Sequence, residues 1–165
     1  MRWLSLLIFI IIYAQTISSP PLEQLLPVSV HSEEIDPRVV ALERYLLSKK
    51  SPLAGAALDF ILVADNYSFD WTLLPAIAGV ESGFEKAGNL SDYNPFGYMC
   101  RSRPCAFTSY SEAITRVGRT LGKGRAYAPF RDKQSIYELA KTYNHVSPED
   151  WTRKVRYFQQ QIGGE

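Results

Sequence analysis

The chain has 165 residues, 46% of them hydrophobic and 13% aromatic, which suffices for one compact domain with a proper core and hardly for two. With 18 Lys and Arg against 17 Asp and Glu, the formal charge is near zero. The basic surplus that marks a nucleic-acid-binding chain is missing, so a nucleic-acid partner is not expected.

At the start of the chain, Arg2 precedes 12 mostly apolar, uncharged residues from Trp3 to Ala14. A membrane-spanning helix needs about 20 such residues, so this run better fits the apolar centre of an export signal. Ile12 and Ala14 fall at the cleavage positions, where Ile12 is a poor fit. Residues 1–18 are therefore expected to be a signal peptide or a retained N-terminal anchor, which would tether the protein to a membrane. Either way the protein is exported, to the envelope or beyond it. The stretch 19–35, with its prolines, serines and paired acids, reads as a linker to a folded domain over 36–165.

Helix start signals then recur. Asp36-Pro37 supplies an N-cap and a proline in the first turn for "RVVALERYLLSKK". Ser51-Pro52 does the same for "LAGAALDFILVADNY", where Leu53, Ala56, Ala57, Phe60, Ile61 and Ala64 share one face. Asp70 caps "WTLLPAIAGVES", with Pro75 expected to bend or delay that helix. Ser109 to Glu112 matches a capping box opening "EAITRVGRTLG". Asp132 or Ser135 starts "IYELAKTY", and Ser147-Pro148 starts a last helix with Trp151, Val155, Phe158 and Ile162 on one stripe. These make six expected helices. Only "FGYMCRSRPCAFTSY" looks extended, with a turn at 101–104. The fold class is mainly α with one small β-hairpin.

Export makes the two cysteines readable. Cys100 and Cys105 bracket Arg-Ser-Arg-Pro, and an oxidising compartment lets them form a disulfide that pins the hairpin tip. The spacing is not that of a C-x-x-C redox pair, and two Cys with two distant His make no zinc pattern. No metal or cofactor is expected.

One residue breaks the amphipathic logic. Glu81 closes the apolar, small-residue run Ala76-Ile77-Ala78-Gly79-Val80. It is either a solvated residue at a helix C-terminus, where negative charge is mildly unfavourable, or an acid placed there for chemistry.

Together, "GVESGF" and "YNPFGY" resemble segments of bacterial cell-wall glucosaminidases and autolysins of the flagellar and mannosyl-glycoprotein endo-β-N-acetylglucosaminidase-like type, relatives of the lytic transglycosylases. The matching features are Glu81-Ser82, Asn94-Pro95-Phe96-Gly97, a hairpin over 98–108, the Ser-x-x-Glu helix start and Tyr143 in "AKTYN". The resemblance covers about residues 50–162. It implies a lysozyme-like helical domain and a hydrolase cutting β-1,4 bonds between amino sugars of peptidoglycan or another N-acetylglucosamine-containing glycan.

It also implies roles for single residues. Glu81 would be the general acid, since an apolar setting keeps a carboxyl protonated. Ser82 belongs to the same pair and is placed with the substrate-binding residues. Asn94 would bond an N-acetyl or hydroxyl group, or else be a turn residue before Pro95. Phe96 and Tyr98 would stack on sugars or join the core, core being the better reading for Phe96. Gly97 would allow close backbone approach or a positive φ. Tyr143 would donate to Glu81 and hold its rotamer, with helix-face packing as the rival.

A second carboxylate is harder to find. Nothing between Tyr93 and Ser111 is acidic, and the hairpin carries Arg101 and Arg103 instead, read as solvated surface. Asp92 is the best candidate. Glu112 is better explained by its capping box, and Glu85 is expected to be exposed and too close in chain to face Glu81. A single-acid mechanism is therefore open, with the 6-hydroxyl of a muramic residue or a substrate N-acetyl group as internal nucleophile. Trp71 and Trp151 fit helix stripes and are assigned to the core. Competing readings are a lytic transglycosylase, a non-catalytic glycan-binding module and a structural partner in an envelope assembly.

Overall fold

The computed structural model describes residues 35–86 and 92–164. The expected export segment and all but the last residue of the expected linker lie outside the described residues. Of the described residues 69% are helical, with one two-stranded antiparallel sheet, a mainly α fold with a small hairpin.

Asp36, Ser51, Ser109 and Ser135 cap helices through their side chains as expected, whereas Thr72 rather than Asp70 is the N-cap of the third helix and Ser147 makes no side-chain cap bond. The Asp36 carboxylate accepts from the Arg38 amide and opens α1, Pro37–Ser48. The Ser51 hydroxyl accepts from the Leu53 amide, but the expected single helix is split. A 3₁₀ turn, Pro52–Ala56, precedes α2, Ala57–Tyr67. Asp70 accepts from Thr72 and tightens the turn that leads into α3, Leu73–Ser82. Pro75 then falls within the first turn, where its missing N–H breaks no intrahelical bond. The start is delayed and the helix is not broken.

The hairpin is minimal: β1, Met99–Cys100, pairs with β2, Arg103–Pro104, in the register Met99↔Pro104 and Cys100↔Arg103. Arg101 turns the corner at φ 61°, and the expected Cys100–Cys105 disulfide closes the base of the turn with Cα atoms 5.0 Å apart. Arg101 and Arg103 are exposed, as expected.

Ser109 accepts from the Glu112 amide and opens α4, Tyr110–Lys123. The Glu112 carboxylate reaches back to Thr108, one residue before the cap, accepting from its amide and its hydroxyl, both at 2.8 Å. Its capping role is therefore structural. A 3₁₀ turn at Arg125–Tyr127 and a short α5, Ala128–Lys133, follow, neither of which is among the six expected helices. Ser135, rather than Asp132, caps α6, Ile136–Tyr143, and Pro148 sits in the first turn of α7, Pro148–Gly163.

The helices pack around one core that includes Leu42, Leu46, Phe60, Ile77, Ile114, Leu121 and Val155. α3 lies mainly against α7, and α2 against α4. Close approach of α2 to α4 depends on two glycines. A Cβ on Gly118 would fall 2.1 Å from Val63 Cγ1, and one on Gly122 would fall 2.3 Å from Tyr67 Cδ1. At the other helix pair, Phe84 folds back over Gly79, where a Cβ would meet its ring at 2.6 Å. The Phe84 ring is also wedged edge-on between Tyr45 (5.6 Å) and Phe158 (5.1 Å). No helix among the described residues is long and apolar enough to cross a membrane.

Candidate active site

Glu81 occupies the last turn of α3, where the helix presents it to solvent beside the segment 94–98. Its carboxyl is nevertheless confined. Trp151 on α7 donates its indole N–H to Oε1 at 2.7 Å, and a Cβ on Gly97 would lie 3.7 Å from Oε2. Burial pushes the Glu81 carboxyl above its ordinary value of 4.5, and the Trp151 hydrogen bond opposes that shift without cancelling it. Desolvation outweighs the donor because the acid side chain lies among an indole, backbone and apolar helix rather than near a cation.

Gly97 has φ +58°, a backbone that only glycine adopts freely, and it leads into a groove of about 300 Å³. Tyr98, Met99, Thr120, Tyr127 and Tyr143 supply its walls, with Phe96 and Gly97 at the edge nearest the acid. The Tyr98 hydroxyl is 2.9 Å from Thr120 Oγ1, which ties the groove wall to α4. Tyrosine faces with hydroxyls at their edges suit a sugar, which has apolar faces and polar rims.

Several expected roles are corrected by the structure. Tyr143 does not donate to Glu81; its hydroxyl donates to the Phe96 carbonyl at 3.0 Å. Burial holds that phenol well above its usual range, and the Glu81 charge adds to the effect, so the two groups are electrostatic neighbours. Asn94 follows the structural alternative, with its side chain engaged by the hairpin. Its amide donates to the carbonyls of Tyr98 (2.9 Å) and Cys105 (3.0 Å), and its oxygen accepts from the Tyr98 amide (2.8 Å). All of this holds the base of the hairpin. Ser82 is buried and braces the same wall, lying 2.9 Å from the Pro95 carbonyl and accepting from the Glu85 amide at 2.8 Å. Phe96, by contrast, is the core residue its preferred reading makes it, at 1% exposure and packed edge-on to Phe60.

The acids separate differently from the expectation. Glu85, expected on the surface, is completely buried at 0% exposure. Burial raises its carboxyl, and the charge of Asp92 adds to that rise, while Ser82 and the Asn94 amide pull the other way. Neither Glu85 oxygen has an aligned hydrogen-bond partner among the described residues. Asp92, the expected second acid, is half-buried and acts on Glu85; its carbonyl accepts from the Phe107 amide at 2.9 Å. Among the described residues, no group of three or more His, Cys, Asp or Glu is placed to hold a metal ion.

Trp151 is the residue that sequence reasoning undervalued. Its core assignment is right, at 2% exposure, but its indole nitrogen reaches a carboxylate 70 positions away. Trp71, by contrast, is only half-buried, so its core assignment is too strong. Compared with known proteins, the chain matches no family model, no curated protein and no solved structure.

Proposed function

We propose that this protein is an exported glycosidase that cleaves β-1,4 bonds between amino sugars of peptidoglycan, with Glu81 as general acid. The observation that carries the reading is the Glu81 carboxyl itself. It is accessible at the end of α3, raised by burial, and set at the edge of a tyrosine-lined groove. A carboxyl whose proton is held more tightly than usual can give it to the glycosidic oxygen as the C1–O bond breaks and oxocarbenium character develops. The order of acid-bearing core helix, hairpin and capped helix is what a lysozyme-like domain would require.

The step after protonation favours a single-acid route. The groove beside Glu81 is lined by Phe96, Gly97, Tyr98, Met99, Thr120, Tyr127 and Tyr143, none of them an Asp or Glu. The attacking atom would then come from the substrate. In one form a 2-acetamido oxygen attacks C1, and the Glu81 carboxylate then takes a proton from the water that opens the ring. In the other, a muramic 6-hydroxyl attacks C1 and gives its proton to Glu81, leaving an anhydro product. The same absence supports lytic transglycosylase activity as the second reading.

Digestion of purified sacculi followed by mass spectrometry tests both. New reducing ends at N-acetylglucosamine denote a glucosaminidase, at N-acetylmuramic acid a muramidase, and anhydro ends a transglycosylase. Glycan binding without cleavage would replace the enzyme by a binding module. Equal digestion by wild type and Glu81→Gln would remove Glu81 from the mechanism.

A further inference from the structure

We infer that Trp151 is a positioning residue for the acid: its indole N–H holds Oε1 of Glu81 and leaves Oε2, the oxygen beside Gly97, to carry and deliver the proton. The inference rests on the reading of Glu81 as a general acid. An indole nitrogen can only donate, and in a protonated carboxyl the carbonyl oxygen is the better acceptor. The 2.7 Å bond to Oε1 therefore assigns the carbonyl role to Oε1 and the hydroxyl to Oε2.

The indole is itself fixed. It is 2% exposed and stacks on Tyr143 with centroids 5.2 Å apart and planes 28° apart. Tyr143 in turn bonds the Phe96 carbonyl, next to Gly97 in the chain. Contacts thus run from Glu81 through Trp151 and Tyr143 to Phe96, whose chain neighbour Gly97 lies beside Glu81 Oε2. Gly97 has its own part, because a side chain there would stand 3.7 Å from Oε2, in the space a glycosidic oxygen must enter. The titratable group that senses the Glu81 charge is Tyr143 on α6; Tyr98 and Tyr127 act on Tyr143 in turn.

A general acid works while protonated, and a donor to its carboxylate favours the charged form. Trp151→Phe keeps the stacked ring and loses the N–H. It is expected to shift the Glu81 ionisation constant about tenfold toward the protonated form, as befits a hydrogen bond to a charged group. The alkaline limb of the activity profile then moves to higher pH, and kcat falls while KM changes little. Carboxyl ¹³C NMR reads the same shift without any turnover. If Trp151→Phe does not fold, the wild type still decides. The Trp151 indole N–H resonance should titrate with the Glu81 midpoint and stop doing so in Glu81→Gln, with Trp71 as the internal control. An unmoved Glu81 titration in Trp151→Phe, or an indole resonance indifferent to Glu81, overturns the inference. NMR coupling in a protein whose Glu81→Gln variant still digests sacculi would keep the Trp151 hold on the carboxyl and discard Glu81 as the general acid.

Discussion

Glu81 and Glu85 are one helical repeat apart in the chain and meet opposite fates. Had α3 continued, the two would share a face. Instead Gly83, Phe84 and Glu85 take φ values of 59°, 63° and 65°, which turns the chain back under the helix. Glu81 stays at the groove edge with a donor on one oxygen, and Glu85 is sealed in with no exposed surface. Burial raises both carboxyls. What distinguishes a candidate catalyst from a buried liability is access to a ligand, and the raised pKa alone does not tell them apart.

The sharpest way to break this comparison is Glu81→Gln. Loss of a general acid is expected to lower sacculus digestion by about 10²–10⁴-fold, with the thermal midpoint nearly unchanged; a variant that melts early instead would make Glu81 structural. Ser82→Ala acts on both acids at once, because Ser82 holds the Pro95 carbonyl on the site side and the Glu85 amide on the buried side. A stability loss of about 1–3 kcal/mol in denaturant titrations is expected from leaving such buried groups unpaired. Replacing Cys100 and Cys105 together by serine loosens only the wall, at a cost of about 2 kcal/mol. Glycan KM should rise there while the pH profile stays in place.

The smallest effect belongs to Glu85→Gln. A carboxyl whose folded value lies above its ordinary 4.5 binds more protons in the fold than in the unfolded chain. Its stabilising contribution is complete below that ordinary value and is lost as pH rises through the folded value. Thermal melts of Glu85→Gln should therefore fall less steeply than wild type between pH 4.5 and 7, with digestion unaffected. An unchanged slope would mean that Glu85 is ionised in the folded protein.

Local signals explain what could be read from the sequence. Asp36, Ser51, Ser109, Ser135 and the prolines that follow Asp36, Ser51 and Ser147 are short-range devices, and each acts within a few residues. α5 escaped because Gly124 reads as a stop and only a short turn separates it from the Ser135 cap. The site was legible only in part. Glu81 stands out by the apolar run before it, whereas the inward path of Glu85 depends on left-handed residues other than glycine, which composition does not signal. Asn94 looks the same on paper as a sugar ligand and as a hairpin brace. The Trp151 contact joins positions 70 residues apart, and no local pattern encodes it.

The Phe84 ring over Gly79 bears on motion as well as packing. Helix ends ordinarily fray, and their last amides exchange with solvent through small, frequent openings. Here the Gly83 and Phe84 amides donate back to Gly79 and Ala78 at 3.2 Å beneath a ring wedged between two others. Deuterium should therefore enter the end of α3 more slowly than the end of α1, where Lys49 and Lys50 close the helix near the surface. The glutamate offered to the groove would then stand on one of the least yielding helix ends in the molecule, its position kept by the chain that follows it.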